Sequence, residues 1–241
     1  VNRPWQFGLA VGALALAGCA SAPATKGDPL EDVNRAVFAF HEKVDEVVLK
    51  PLATGYVKVV PELVRTGIDN VLGNVGDLWS ALNQLLQAKP LAAAEMGFRF
   101  VVNTTFGIGG IFDIAGDAGI ERRSEDFGQT LGRWGLGPGP YLVLPLLGPS
   151  NVRDATALPL DWQASPSGLL EDAGARNALS AVTIVHTRAK LLSVTRAIDD
   201  AALDKYLLVR DGFLARRRSL VYDGDPPEEP EPESEADATK K

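Results

Sequence analysis

Half of the chain's 24 glycines fall in the 52 residues from Gly97 to Gly148. They alternate with Phe98, Phe100, Val101, Val102, Phe106, Ile108, Ile111, Phe112 and Ile114, then with Leu142, Val143, Leu144, Leu146 and Leu147. Glycine is costly inside helices and strands, so a soluble core does not ordinarily concentrate it among large apolar side chains. The combination fits short, broken helices whose backbones approach one another, or a lipid, closely. It does not fit a strand-rich domain. No apolar run in the body nears the ~18 residues that mark a spanning helix, and Asn103, Thr104, Asp113 and Asp117 punctuate the block. Two arrangements stay open. One is a helical hairpin, roughly 91–103 and 109–115, that enters a membrane without crossing it; the other is a soluble core with Gly-rich turns.

The one cysteine, Cys19, takes its meaning from its surroundings. Arg3 is followed by the apolar run Phe7–Ala17 and then by Leu16-Ala17-Gly18-Cys19. The run has the size of a signal-peptide core and is too short to span a membrane. Its ending resembles the bacterial lipobox, in which the cysteine is lipidated and becomes the first mature residue; the alternative is a buried free thiol. Ala20 and Ser21 follow where an Asp would signal inner-membrane retention, so the outer membrane is the expected destination. We expect a signal peptide over 1–18, a lipidated tether over 19–27, a helical domain over 28–222 and a disordered acidic tail over 223–241. That tail carries eight acids against two lysines, so most of the net charge of −7 belongs to it. The nearly neutral body offers no footprint for nucleic acid.

Along the body, Asp28 can cap a first helix, Pro29 suits its first position and Glu31 completes a capping box. Leu30, Val33, Val37, Phe40, Val44 and Val47 form one stripe, which Lys50-Pro51 closes. A connector to Val60 leads to a second helix from Pro61, broken at Gly73-Asn74-Val75-Gly76. Asp77 caps a third, with Leu78, Leu82, Leu85 and Leu86 on one side. Pro90 opens a fourth that runs toward Asn103. After a bend at Ser165–Gly168, long helices are expected near 175–198 and 201–220. No segment alternates apolar and polar residues for long, so the expected class is all-α.

The chemistry of bond breaking finds no support. There is no G-x-S-x-G elbow, and His41-Glu42 lacks the second histidine of a zinc-protease motif. His186 falls beside an apolar stripe, where a satisfied imidazole outranks a catalytic base. Gly107-Ile108-Gly109-Gly110 lacks the strand, the third glycine and the Lys-Ser/Thr of phosphate loops. No enzyme activity, metal or cofactor is expected. Arg122-Arg123 and Arg216-Arg217-Arg218 read either as solvated surface or as contacts for lipid phosphates. Arg99, between Phe98 and Phe100, must find a partner or a polar channel.

Several separated stretches resemble the MlaA (VacJ) family of outer-membrane lipoproteins. They are Asp28-Pro29-Leu30-Glu31 with Asn34-Arg35 and Phe38-Ala39-Phe40; Arg99-Phe100 with Asn103-Thr104; Gly107-Ile108-Gly109-Gly110 with Phe112-Asp113; and Asp126-Phe127-Gly128-Gln129-Thr130-Leu131-Gly132. Gly139-Pro140-Tyr141, Leu144-Pro145, Gly148-Pro149-Ser150 and Arg153-Asp154 complete the order. His41 departs from the Asn often found there. The resemblance implies a single ring-like helical domain lying in the inner leaflet of the outer membrane around an amphipathic channel. It implies passage of stray outer-leaflet phospholipids to a soluble periplasmic carrier, and association with a porin trimer. Phe98, Val101, Ile108, Ile111, Phe112, Ile114, Leu142 and Leu144 are then candidates for the lipid path or membrane contact, and Arg99, Asn103 and Thr104 for the headgroup. The competing expectation is a structural lipoprotein that scaffolds a porin or another envelope partner.

Overall fold

The computed structural model describes residues 28–228, so Cys19, the expected signal peptide and tether, and the tail beyond 228 lie outside the described residues. Helix α1 (Glu31–Val44) passes through a π-helical turn (Asp45–Leu49) directly into α2 (Lys50–Val59). Here the expected stop at Pro51, and the connector to Val60, are corrected. Proline cannot donate to the carbonyl four residues back and its ring crowds that carbonyl; the wider turn before it relieves both problems without ending the helix. The expected capping box is corrected too. Asp28 is buried; its Oδ1 accepts from Leu30 N and Asn34 Nδ2, while Glu31 pairs with Arg35 at 2.8 Å.

Helix α3 (Glu62–Leu86) runs unbroken through Gly73–Gly76, against expectation, and packs antiparallel to α4 (Pro90–Thr105). A glycine turn follows in place of the expected second arm of a helical hairpin, then one-turn α5 (Ile114–Asp117) and α6 (Phe127–Arg133), both capped by aspartates, Asp113 and Asp126. The Leu142–Leu147 run is a β-hairpin rather than helix: β1 (Tyr141–Leu144) pairs antiparallel with β2 (Gly148–Asn151), Tyr141 opposite Asn151. Helices α7 (Val152–Gln163), α8 (Ala173–Lys190), α9 (Leu192–Ala201) and α10 (Lys205–Val221) complete an all-α fold. The first expected C-terminal helix is thus split at Leu191.

Contacts close into a circuit. Asn34 on α1 holds β1, β2 leads into α7, and Asp161 on α7 accepts from Trp79 on α3 at 2.8 Å. His186 on α8 then joins α3 through Asp69 and α2 through Tyr56, and α2 returns to α1. A small apolar cluster of Tyr141, Val143 and Tyr206 lies where α1, the hairpin and α10 meet. Asn34 is its polar clamp: Nδ2 donates to Tyr141 O at 3.0 Å and Oδ1 accepts from Val143 N at 2.9 Å. Asn34→Ala strands both strand groups, so a loss of about 2 kcal/mol is expected. Hydrogen exchange should speed up at Val143 while the amides of α4 stay protected.

Candidate functional site

The distribution of polarity defines the site. Among the described residues, eighteen polar or charged side chains are buried against ten apolar or aromatic ones, and no Leu, Ile or Phe is among them. On α3 the buried face carries Asn74, Asp77, Ser80 and Gln84, while Leu78, Leu82, Leu85 and Leu86 point outward. The first helix repeats the pattern in part: Asn34 is inside and Val33 and Phe40 are exposed, as is Val47 in the π turn, while Val37 packs against the core cluster. On α4 the outward side carries Leu91, Phe98 and Val101, and the inward side Arg99 and Asn103. A protein in water places these sets the other way round, because contiguous exposed apolar surface is unfavourable there. Against hydrocarbon the arrangement is favourable, since polar groups must then be satisfied internally.

They are satisfied. Arg99, fully buried, donates through Nε to Asp77 Oδ2 at 3.2 Å and through Nη2 to both oxygens of Asp113 at 2.8 and 2.9 Å; Nη1 bonds Ile120 O. Arg122 closes on Asp77 from the other side at 2.7 Å, over Gly73, where any Cβ would strike its guanidinium. Asn103 donates to Asp113 and accepts from Ala115 N. Burial opposes ionisation of Asp113, but the bonds from Arg99, Asn103 and Gly116 N outweigh it and hold the carboxyl below its ordinary range. Gly110, at φ +91°, lets the turn after α4 settle onto Asn74, in a backbone region that side chains disfavour. A second network joins the far side: Arg217 bridges Asp126 at 2.6 Å and Asp154 at 2.7 Å. There too burial raises the Asp126 carboxyl and Arg217 more than reverses it.

The sequence candidates therefore divide. Phe98, Val101, Ile108, Ile111, Phe112 and Ile114 are all exposed, on α4, the turn that follows and the start of α5. Ile108 is held at φ +53°, a conformation rare for a β-branched residue. Leu142 and Leu144 are half-buried, on the pleat opposite Tyr141 and Val143. Arg99 and Asn103, expected at a headgroup, are both buried and bonded to protein groups. Thr104 is exposed, with Oγ1 accepting from Asn74. Asp77, Arg122, Asn34 and Asp126 are structural supports that a search for catalytic motifs overlooks; for Asn34 and Asp77 the signal is an amide or acid on a helix that also carries an apolar stripe. His41 bridges the hairpin turn, Nε2 lying 2.8 Å from both Leu144 O and Leu146 N. The described residues hold no group of side chains suited to a metal ion, and no helix among them is long and apolar enough to cross a membrane.

Comparison with known proteins agrees with this layout. A family model described as MlaA lipoprotein matches residues 26–220. An uncharacterised protein of Rickettsia bellii is 34% identical, over 81% of this chain and 77% of its own length. The intermembrane phospholipid transport system lipoprotein MlaA of Shigella flexneri is 33% identical, over 95% of this chain and 93% of its own. A solved structure, from work on the structural basis for maintenance of bacterial outer membrane lipid asymmetry, superposes with a TM-score of 0.72 at 32% identity, covering 81% of this chain and 99% of that one. With its polar interior, apolar exterior and this degree of likeness over nearly its whole length, the chain belongs to the MlaA lipoprotein family.

Proposed function

We propose that this chain is an outer-membrane lipoprotein, held by acylated Cys19 in the periplasmic leaflet, that removes mislocalised phospholipids from the outer leaflet. The lipids pass along an amphipathic path to a soluble periplasmic carrier, beside a porin trimer, and lipid asymmetry is maintained. The reading follows what the named relatives are said to do, and one observation carries it here: the domain is apolar outside and ion-paired inside. Exposing an acyl chain to water costs about 0.8 kcal/mol per CH₂, so a useful path keeps chains covered throughout. The closed circuit of helices supports a ring, and no step in such transport needs a bond to break.

The test is made at the exposed turn. Ile111 and Phe112 are 43% and 47% exposed, so Ile111→Asp and Phe112→Asp leave the interior networks intact. An Asp at membrane depth costs roughly 2.5–3.5 kcal/mol. Phospholipid retained on purification in mild detergent, and transfer between labelled vesicles, should each fall by about tenfold or more without change in melting temperature. A wild-type protein that neither carries nor transfers phospholipid would refute the proposal and favour a scaffold.

A further inference from the structure

A cavity of about 730 Å³ opens between the segment 132–139 and α10, within the range of roughly 300–1,000 Å³ usual for ligand sites. Leu136, Leu214, Val221 and Tyr222 give it apolar walls, and Arg153, Arg217 and Arg218 are also in its lining. The one carboxylate in its lining, Asp211, is paired with Arg210. Arg153 is 5% exposed. Its Nε and Nη2 both lie 2.9 Å from Asp154 Oδ1, whereas Nη1 has no protein acceptor among the described residues. Nη1 lies over Gly132, 2.6 Å from where a Cβ would stand. Arg217 is fixed from behind by Asp126 and Asp154. Tyr141, in the same wall, has a buried hydroxyl without a protein partner.

A guanidinium held rigidly by a carboxylate on one side, with Nη1 left unpaired, suits a tetrahedral oxyanion on the other. We propose that this cavity binds a phosphate-ester anion, with Arg153 Nη1 as its main donor and Arg217 beside it. The ester is either a phospholipid headgroup, with its glycerol and upper acyl carbons along Leu136, Leu214 and Val221, or a free soluble phosphate ester. The lipid source rests on the transport function proposed above; the anion site does not.

The test titrates the full chain in mild detergent by calorimetry. The probes are glycerol 3-phosphate, dihexanoylphosphatidylcholine and the phosphate-free dihexanoylglycerol. Two variants are compared: Arg153→Lys, which keeps charge but loses the planar fork, and Ala215→Trp, which fills the cavity from α10 and removes no polar group. Arg153→Lys is expected to weaken both phosphate probes about tenfold and to leave dihexanoylglycerol unchanged; Ala215→Trp is expected to weaken both phosphate probes at least as much. Should Arg153→Lys fail to fold by circular dichroism, Ala215→Trp decides alone. No heat from either phosphate probe with wild type, or unchanged affinity in the folded variants, overturns the site. Binding of glycerol 3-phosphate without dihexanoylphosphatidylcholine keeps the anion site and overturns its lipid source. Phosphate probes bound through Arg153 by a protein that moves no lipid between vesicles would refute transport and keep the site. Normal transfer by folded variants of unchanged affinity would do the reverse.

Discussion

Asp77→Ala is expected to destabilise the domain by about 3–5 kcal/mol, the range seen when one partner of a buried ion pair is removed. Asp77 is fully buried and accepts from Arg99 Nε and from Arg122 Nε and Nη2. Without it Arg99 keeps only Asp113 and Ile120 O, and Arg122, lying over Gly73, loses its anchor. For a domain of this size the loss corresponds to a fall of roughly 6–20 °C in melting temperature, read by thermal unfolding in detergent. Asp77→Asn keeps an acceptor and should lose less. In a double-mutant cycle, Arg122→Met should cost clearly less in the Asp77→Ala background than in wild type. Additive losses, or a fall below about 2 °C for Asp77→Ala, would mean that packing alone joins α3 to α4.

Gly107→Ala should be as damaging for a different reason. A Cβ at 107 would stand inside van der Waals contact of Phe112 O, in the turn that closes over α4, and 2.5 Å from Asn103 O, in the last turn of α4; both are backbone atoms. Backbone does not yield as the tip of a side chain does, so the turn must open. With it go the bonds from Gly110 N to Asn103 O and from Phe112 N to Gly107 O. A loss of about 3 kcal/mol is expected, the upper end of the usual range for overpacking. Gly97→Ala is the control. That glycine lies inside α4 with nothing within 4 Å of the added carbon, and the change should stabilise by about 0.5–1 kcal/mol. Equal melting temperatures for the two variants would show that the turn adapts. Because the turn carries Ile108, Ile111 and Phe112, Gly107→Ala should also reduce phospholipid transfer, which Gly97→Ala should leave intact.

Much of the helix content was legible from the sequence. Pro90 opens α4, the bend at Ser165–Gly168 separates α7 from α8, and the all-α class follows from the lack of alternation. Each boundary that differs has its own physical cause. Gly73 and Gly76 look like a break, but the helix runs through them, and residue 73 is glycine because Arg122 fills the space a side chain would take. Pro51 looks like a stop, but a π turn accommodates its missing N–H. The hairpin over 141–151 was hidden because its strands are only four residues long. The stripes of α1 and α3 were found correctly, but periodicity gives a face and not its direction. Only the structure shows that the α3 leucines point outward while the α1 stripe is split, Val33 and Phe40 exposed and Val37 against the core cluster, and that Arg99, isolated in an apolar sequence, meets Asp77 on α3 and Asp113 in the turn before α5.

The outward leucines of α3 and the buried arginine of α4 also bear on how such a chain is delivered. A finished fold of this kind would stick to itself in plain water, and an unfinished one would leave its guanidinium groups bare. Passage through an aqueous compartment, where delivery required it, would therefore call for an escort, or for folding postponed until arrival.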